Sequence, residues 1–333
     1  MCSSDLVEQE LTSKTLFTLG YVGSAGQHLQ IIYDLNQPAA SGTATANTKP
    51  YAGYYNGGPN GPFLNEGSQF ATQALLGINQ LNFEAASNYN SFQATLKQGV
   101  WKGLQGTIYY TWSKALDDAS SSTTPMNSYN AHLDYGPSTF DNRHLISAFV
   151  YYDVPQLGHS MPKITKGWQL NSIYSFSTGT PISPAYSTNI DGTGELKDRP
   201  NYNGISPYVG GTQLATTSSS ARTYRFLTAT PANSFTAPAS GTYGNEMRDN
   251  FFGPDFRTVD FSMFKHTPIT ERVMSELRVE IFNIFNFQNF ANPTTTPTSS
   301  SFGLITQTRN GSGAPGIGNG EPFNIQFALK LTF

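Results

Sequence analysis

Phe323-Asn324-Ile325-Gln326-Phe327-Ala328-Leu329-Lys330-Leu331-Thr332-Phe333 closes the sequence. Phe323, Ile325, Phe327, Leu329, Leu331 and Phe333 take every second position, and Asn324, Gln326, Ala328, Lys330 and Thr332 lie between them. A period of two puts the sets on opposite faces of one β-strand. Soluble strands average ~5–6 residues. A strand that crosses a membrane at a tilt needs ~9–11, which this stretch supplies.

The alternation recurs upstream. Over 104–114, Gly106, Ile108, Tyr110 and Trp112 alternate with Gln105, Thr107, Tyr109, Thr111 and Ser113. Over 276–282, Leu277, Val279 and Ile281 alternate with Glu276, Arg278 and Glu280. Stretches 15–22, 28–35, 91–100, 143–153, 168–178 and 256–265 read as further strands. In 143–153 both alternating sets carry apolar residues, so its facing stays open. Connections 23–27, 101–103 and 266–271 are short and 154–167 is moderate, whereas 36–90, 115–142, 179–255 and 286–322 are long. Short turns on one side and long loops on the other are the pattern of outer-membrane barrels. The sequence therefore predicts an all-β, antiparallel transmembrane β-barrel, here a partial barrel of about nine to ten long strands with long extracellular loops. A complete bacterial barrel has an even strand number and starts in the periplasm. Nine strands ending in the periplasm start outside, so a portion of a larger barrel is expected; a hidden strand within 179–255 would change that parity.

Composition agrees. Charged residues make up 12% of the 333, about half the ~25% of soluble domains. Aromatics reach 13%, and 31 Gly and 20 Pro supply turns. A net charge of −3 gives no basic footprint for nucleic acid. No apolar run reaches the ~18 residues of a membrane helix. No signal peptide is readable, so the true start is expected upstream. Residues 1–14 carry no assignable element and read as foreign sequence or loop; 15–333 form the C-terminal portion of the barrel. Cys2 is the single cysteine, which excludes an intrachain disulfide.

Side-chain chemistry points to few sites. Glu276, Arg278 and Glu280 share one strand face, and a charge facing lipid costs roughly 2–4 kcal/mol at mid-membrane. They are expected to face the lumen; a solvated face of a soluble sheet is the alternative. Tyr110, Trp112, Trp168 and Phe333 sit near strand ends, where amphipathic rings form interfacial belts; sandwich core packing is the alternative. Gly311-Ser312-Gly313-Ala314-Pro315-Gly316 matches a dinucleotide-binding string, but the strand–helix context it needs is missing, and a loop is expected. Asn189, Asp191 and Glu195 around Gly192 fail the spacing of a calcium loop. Asp117, Asp118, Asp134 and Asp141 flank one long loop and are expected to be solvated. His28, His132, His144, His159 and His266 lack metal-ligand spacing. No serine has a nucleophile-elbow context. No catalytic, cofactor or metal residue is assigned.

Short pieces in fixed order then carry a family resemblance: Tyr21-Val22-Gly23-Ser24-Ala25-Gly26, Ser87-Asn88-Tyr89-Asn90-Ser91-Phe92-Gln93, Tyr110-Thr111-Trp112-Ser113-Lys114 with Asp117-Asp118, and Phe140-Asp141-Asn142-Arg143-His144. Gly167-Trp168-Gln169-Leu170, Gly179-Thr180-Pro181, Arg199-Pro200-Asn201, Val259-Asp260-Phe261-Ser262-Met263-Phe264-Lys265, Arg278-Val279-Glu280-Ile281-Phe282-Asn283, Phe285-Asn286 and Asn289-Phe290 follow. The order resembles TonB-dependent receptors with an Oar-like barrel. The resemblance implies a bacterial outer-membrane location and a fragment of a receptor for active uptake. It implies outer-membrane lipid and the barrel-assembly machinery as partners, with the TonB energy-coupling complex reached only through N-terminal parts and a plug absent here. It also implies that Phe323, Ile325, Phe327, Leu329, Leu331 and Phe333 form the C-terminal assembly signal. A non-transporting outer-membrane or secreted β-sheet protein, an adhesin or binding module, is the other class open to this sequence.

Overall fold

A computed structural model of the chain describes residues 2–42, 49–51, 77–120, 124–156, 161–195, 197–217, 222–309 and 322–333. Its strands, in chain order, are β1 (Cys2–Thr12), β2 (Thr15–Asp34), β3 (Asn79–Trp101), β4 (Leu104–Asp117), β5 (Gly136–Pro137), β6 (His144–Asp153), β7 (Trp168–Ser177), β8 (Pro181–Ile182) and β9 (Asn201–Tyr202). They continue with β10 (Tyr208–Thr217), β11 (Arg222–Leu227), β12 (Phe235–Thr236), β13 (Phe251–Phe252), β14 (Phe256–Pro268), β15 (Met274–Phe282), β16 (Leu304–Ile305) and β17 (Asn324–Thr332).

Nine long strands form one antiparallel meander in the order β1-β2-β3-β4-β6-β7-β14-β15-β17, with the short β5 beside β4. Cross-strand register sorts their side chains. Ile108 lies opposite Leu96 and Ala148, and Phe17 opposite Leu96. Met263 lies opposite Leu170 and Val279, and Val279 opposite Phe327. This face is apolar strand after strand. The other carries Thr18 with Thr95, Gln93 with Thr111, Ser147 with Ser175, and Glu280 with Gln326. Lipid outside and water inside impose that division. Register also settles the ambiguous 143–153: Ile146, Ala148 and Val150 share the outer face with Tyr110, Ile108 and Gly106.

The sheet is sheared as a barrel wall must be. A row starting at Thr15, the first residue of β2, passes Gln98, Gly106, Val150, Ser172, Phe261 and Ile281. It ends at Ile325, second in β17 and eight residues before Phe333. Eight residues of drift over seven steps correspond to a tilt of about 40° at ordinary strand spacings. Among the described residues β1 and β17 do not pair, so the sheet is open, as a partial barrel is.

Three readings are corrected. The sequence places a turn at 23–27 between two strands, but β2 runs unbroken from Thr15 to Asp34. Its turn-forming residues make a β-bulge: Gly26 pairs with Ser87 and Leu29 with Ala85, and His28 takes φ 56°. A bulge bends and twists a strand without ending it. Likewise 79–90 is strand rather than loop, because β3 starts at Asn79. At 20 and 23 residues, β2 and β3 exceed what a bilayer needs and project beyond it. The sequence gives 1–14 no element; the structure has β1 there, paired to β2. The two-residue turn at Lys102 (φ 50°) and Gly103 (φ 86°) is the tight type that positive φ at both positions makes.

The long connections fold together on one side. β8 pairs β13, β9 pairs β12, and β10, β11 and β16 form a small sheet. Ile182, Leu227, Phe235, Phe251 and Phe302 make the core of this extracellular body. Phe235 meets Phe251 edge-on with centroids 5.4 Å apart. Gly179 is needed where backbones touch, since a Cβ there would lie 1.8 Å from the Gly253 carbonyl oxygen. Ile31 and Ala85, near the tops of β2 and β3, pack on Ala131.

Candidate functional site

The polar face of the sheet holds a small charged ladder near one end of its strands. Glu276, Arg278 and Glu280 alternate with the outward Leu277, Val279 and Ile281. Arg278 Nε donates to Glu276 Oε1, and its guanidinium lies 5.2 Å from the Phe264 ring centre. His266 Nδ1 is 3.6 Å from Glu276, and Lys330 stands opposite it. Tyr109 and Phe149, rings 6.4 Å apart, form an apolar spot on the same face, which the mixed pattern of 143–153 concealed.

On the outer face, Tyr110 and Trp112 lie toward the extracellular end of β4, and the Tyr110 hydroxyl bonds His144 Nδ1 at 2.8 Å. Trp168 opens β7 at the other end, its Nε1 donating to the Ile164 carbonyl at 2.7 Å. Ile325, Phe327, Leu329 and Leu331 oppose Ile281, Val279, Leu277 and Ser275 and stay exposed on this face. Phe323 and Phe333 flank the strand and are exposed as well.

The carboxylates expected to be solvated are not. Asp117, Asp118, Asp134 and Asp141 are 5, 9, 7 and 1% exposed. A buried carboxylate must be paired or hydrogen-bonded, and each is. Asp117 accepts from Arg248 and from Ser120 Oγ. Asp118 accepts the Ala86 amide at 2.9 Å. Asp134 accepts from Arg199 Nη1 and, at 2.9 Å, from the Met126 amide. Asp141 accepts the Ala115 amide at 2.7 Å and Arg143 at 3.2 Å. All three nitrogens of Arg199 donate, with Nε on the Glu246 carbonyl and Nη2 on the Leu133 carbonyl, both at 2.9 Å. Between these groups lies a cavity of about 150 Å³ lined by Asp118, Met126, Asp134, Lys197, Arg199 and Arg248. Ala119, Pro125 and Ala185 line it as well, so charged and apolar side chains share its wall. Sequence reasoning missed Arg199 and Arg248 because their partners are 65 and 131 positions away.

Asn189 and Asp191 accept local bonds, from the Gly194 amide at 3.0 Å and from Thr193 N and Oγ1 at 2.8 Å, and Glu195 accepts from the distant Thr124 Oγ1 at 3.2 Å. Among the described residues no three His, Cys, Asp or Glu side chains are grouped to hold a metal. Residues 311–316 and His159 lie outside the described residues.

Asp191 and Asp198 are buried side by side. Burial pushes the Asp198 carboxyl up to about 6, with the neighbouring Asp191 charge adding to it and the Asp191 and Ile190 amides opposing. A raised folded-state value favours folding fully below the unfolded value near 3.8, and that contribution is lost as pH rises through about 6. Hydrogen exchange in 186–195, corrected for intrinsic rates, should therefore show protection falling as pH rises from about 4 to 7. Asp198→Asn, which mimics the protonated acid, should flatten that dependence; an unchanged slope would exclude the pair as its source.

No curated protein matches the sequence. Similar solved structures include two outer-membrane proteins. The outer membrane transporter YddB from Escherichia coli is 9% identical with a TM-score of 0.47, over 99% of this chain and 32% of that one. FpvA of P. aeruginosa, solved bound to a heterologous iron–pyoverdine, is 12% identical with a TM-score of 0.41, over 99% of this chain and 27% of that one. The chain thus spans about a third of the length of these solved chains. The family described as outer membrane beta barrel domain matches residues 6–326. With an apolar outer face, a polar inner face and a sheared meander in agreement, the chain belongs to the outer membrane beta barrel domain family, and its place is the bacterial outer membrane.

Proposed function

We propose that this chain is the later barrel portion, over 15–333 and with β1 alongside, of an Oar-like TonB-dependent receptor for active uptake. The observation that supports the reading is the folded body where the long connections gather on one side of the sheet, with a cavity of mixed charged and apolar lining between Asp134, Arg199 and Arg248. A passive wall needs no such body. Its buried ion pairs hold the cavity's walls rigid. The inner-face ladder of Glu276, Arg278 and Glu280 offers partners to a plug, and contact with TonB belongs to parts outside this chain. Tyr110, Trp112 and Trp168 anchor the wall at the two membrane interfaces. The role is transport or reception, not catalysis.

Uptake of iron chelates, oligosaccharides and peptides, measured in cells with and without TonB, tests the reading. At least one class should accumulate in a TonB-dependent way and fail to do so when the gene is deleted. No such uptake, with lost surface adhesion on deletion, would move the protein to the adhesin class.

Assembly has its own test. An amphipathic strand ending in an aromatic suits capture by β-augmentation, and Phe323, Ile325, Phe327, Leu329, Leu331 and Phe333 supply it. Removing Phe333 should lower the amount in the outer membrane several-fold. Undiminished membrane levels would remove the terminal aromatic from that role.

A further inference from the structure

The periplasmic connection between β6 and β7 folds the wrong way for a simple turn. Lys265 belongs to the outer, apolar face, in one row with Trp168, Leu277 and Leu329. It is nonetheless only 9% exposed. Its Nζ donates to the carbonyls of Lys163 (2.8 Å), Lys166 (2.5 Å) and His266 (3.1 Å) and lies 5.5 Å from the Trp168 ring centre. The one-turn helix Pro162–Thr165 is thereby tied to the outside of the wall, not beneath the lumen. Gly167, with φ 76°, lets the chain double back: a Cβ there would lie 2.4 Å from the His266 carbonyl oxygen.

Held there, the helix presents Met161, 69% exposed, and Ile164, 60% exposed, level with the edge of the apolar band. Lys163 and Lys166 flank them, and among the described residues neither enters a salt bridge. The connection 154–167 contains no Asp or Glu. Along the same rim, Lys102 sits 5.3 Å over the Trp101 ring. Apolar side chains at headgroup depth with lysines beside them are the chemistry of an interfacial segment on an anionic leaflet.

We infer that Met161–Trp168 is a phospholipid-docking element, with Met161 and Ile164 entering the headgroup–acyl boundary of the periplasmic leaflet and Lys163 and Lys166 holding anionic phosphates. This rests on the membrane fold and not on transport.

The test uses the protein purified from outer membranes and placed in nanodiscs of phosphatidylcholine, with or without one-third phosphatidylglycerol. A nitroxide at Ile164→Cys, in a Cys2→Ser background, should be reached by oxygen more than by aqueous nickel. Native mass spectrometry should show phosphatidylglycerol retained over phosphatidylcholine, and Lys163→Gln with Lys166→Gln should cut that preference about tenfold. Lys265→Met should untie the helix and move the label toward water while the gel shift of the folded barrel persists. A nickel-accessible label in both lipids overturns the inference. So does a lipid preference that survives the double lysine change.

Discussion

Arg199→Met is expected to destabilise the extracellular body by about 3–5 kcal/mol, the cost of leaving one partner of a buried ion pair uncompensated. Arg199 is 5% and Asp134 7% exposed. Methionine keeps most of the side-chain volume, so the loss isolates the charge and its donors. Asp134 would retain only the Met126 amide, and the carbonyls of Leu133 and Glu246 would lose the donors they now have. Arg199→Lys should recover part of the loss, because a point charge cannot serve three divergent acceptors as a planar guanidinium does. Combining Arg199→Met with Asp134→Leu should cost clearly less than the sum of the single changes, since removing both charges removes the unpaired one. Denaturant unfolding followed through this body decides it. A single-variant loss under about 0.5 kcal/mol, the scale of an ordinary surface change, would mean that the pair does not hold the cavity.

What the sequence revealed and what it hid divide along one physical line. Where lipid bathes one face and water the other, every second residue is constrained, and the pattern is visible in Leu277, Val279 and Ile281 against Glu276, Arg278 and Glu280. Beyond the bilayer that constraint stops. The upper part of β3 nonetheless alternates, with Leu81, Phe83 and Ala85 against Gln80, Asn82 and Glu84; the run is short and fades into Ala86-Ser87-Asn88, so only its pairing with β2, up to Asp34 and Asn79, shows that it continues β3. Gly23-Ser24-Ala25-Gly26-Gln27 has the composition of a turn, and only the distant partners Ala85 and Ser87 decide that it is a bulge. In β1 the outward positions include Asp5 and Gln9, opposite Tyr21 and Phe17, so polar residues break the pattern there. The buried carboxylates were illegible for the same reason: Asp117 meets Arg248, and Asp134 meets Arg199, only in the folded body. A loop aspartate with no local partner has no signature of burial.

Ile108→Arg is expected to cost roughly 2–4 kcal/mol, the range for a lipid-facing arginine at the bilayer midplane. The position follows from the register and the tilt. Ile108 sits midway between Leu104, where β4 leaves the periplasmic turn, and Trp112 near the extracellular end. At a strand rise of ~3.3 Å and a tilt of about 40°, that span is about 20 Å tall, close to the ~25 Å apolar band of such barrels. Leu277→Arg should cost much less, about 0–1 kcal/mol, although Leu277 shares the outer face. It stands in the row of Trp168 and Lys265, and at that level an arginine can reach the headgroups. Gln93→Arg supplies the inner-face control, because Gln93 is exposed opposite Gly20 and Thr111. Thr107 cannot serve: it faces inward but is only 4% exposed. Refolding into vesicles of matched thickness gives the three costs on one scale. The ordering Ile108 well above Leu277 and Gln93 is the signature of depth. Equal costs at Ile108 and Gln93 would mean that the two faces are exchanged, and equal costs at Ile108 and Leu277 would mean that the membrane lies lower on the wall than the Lys265 row.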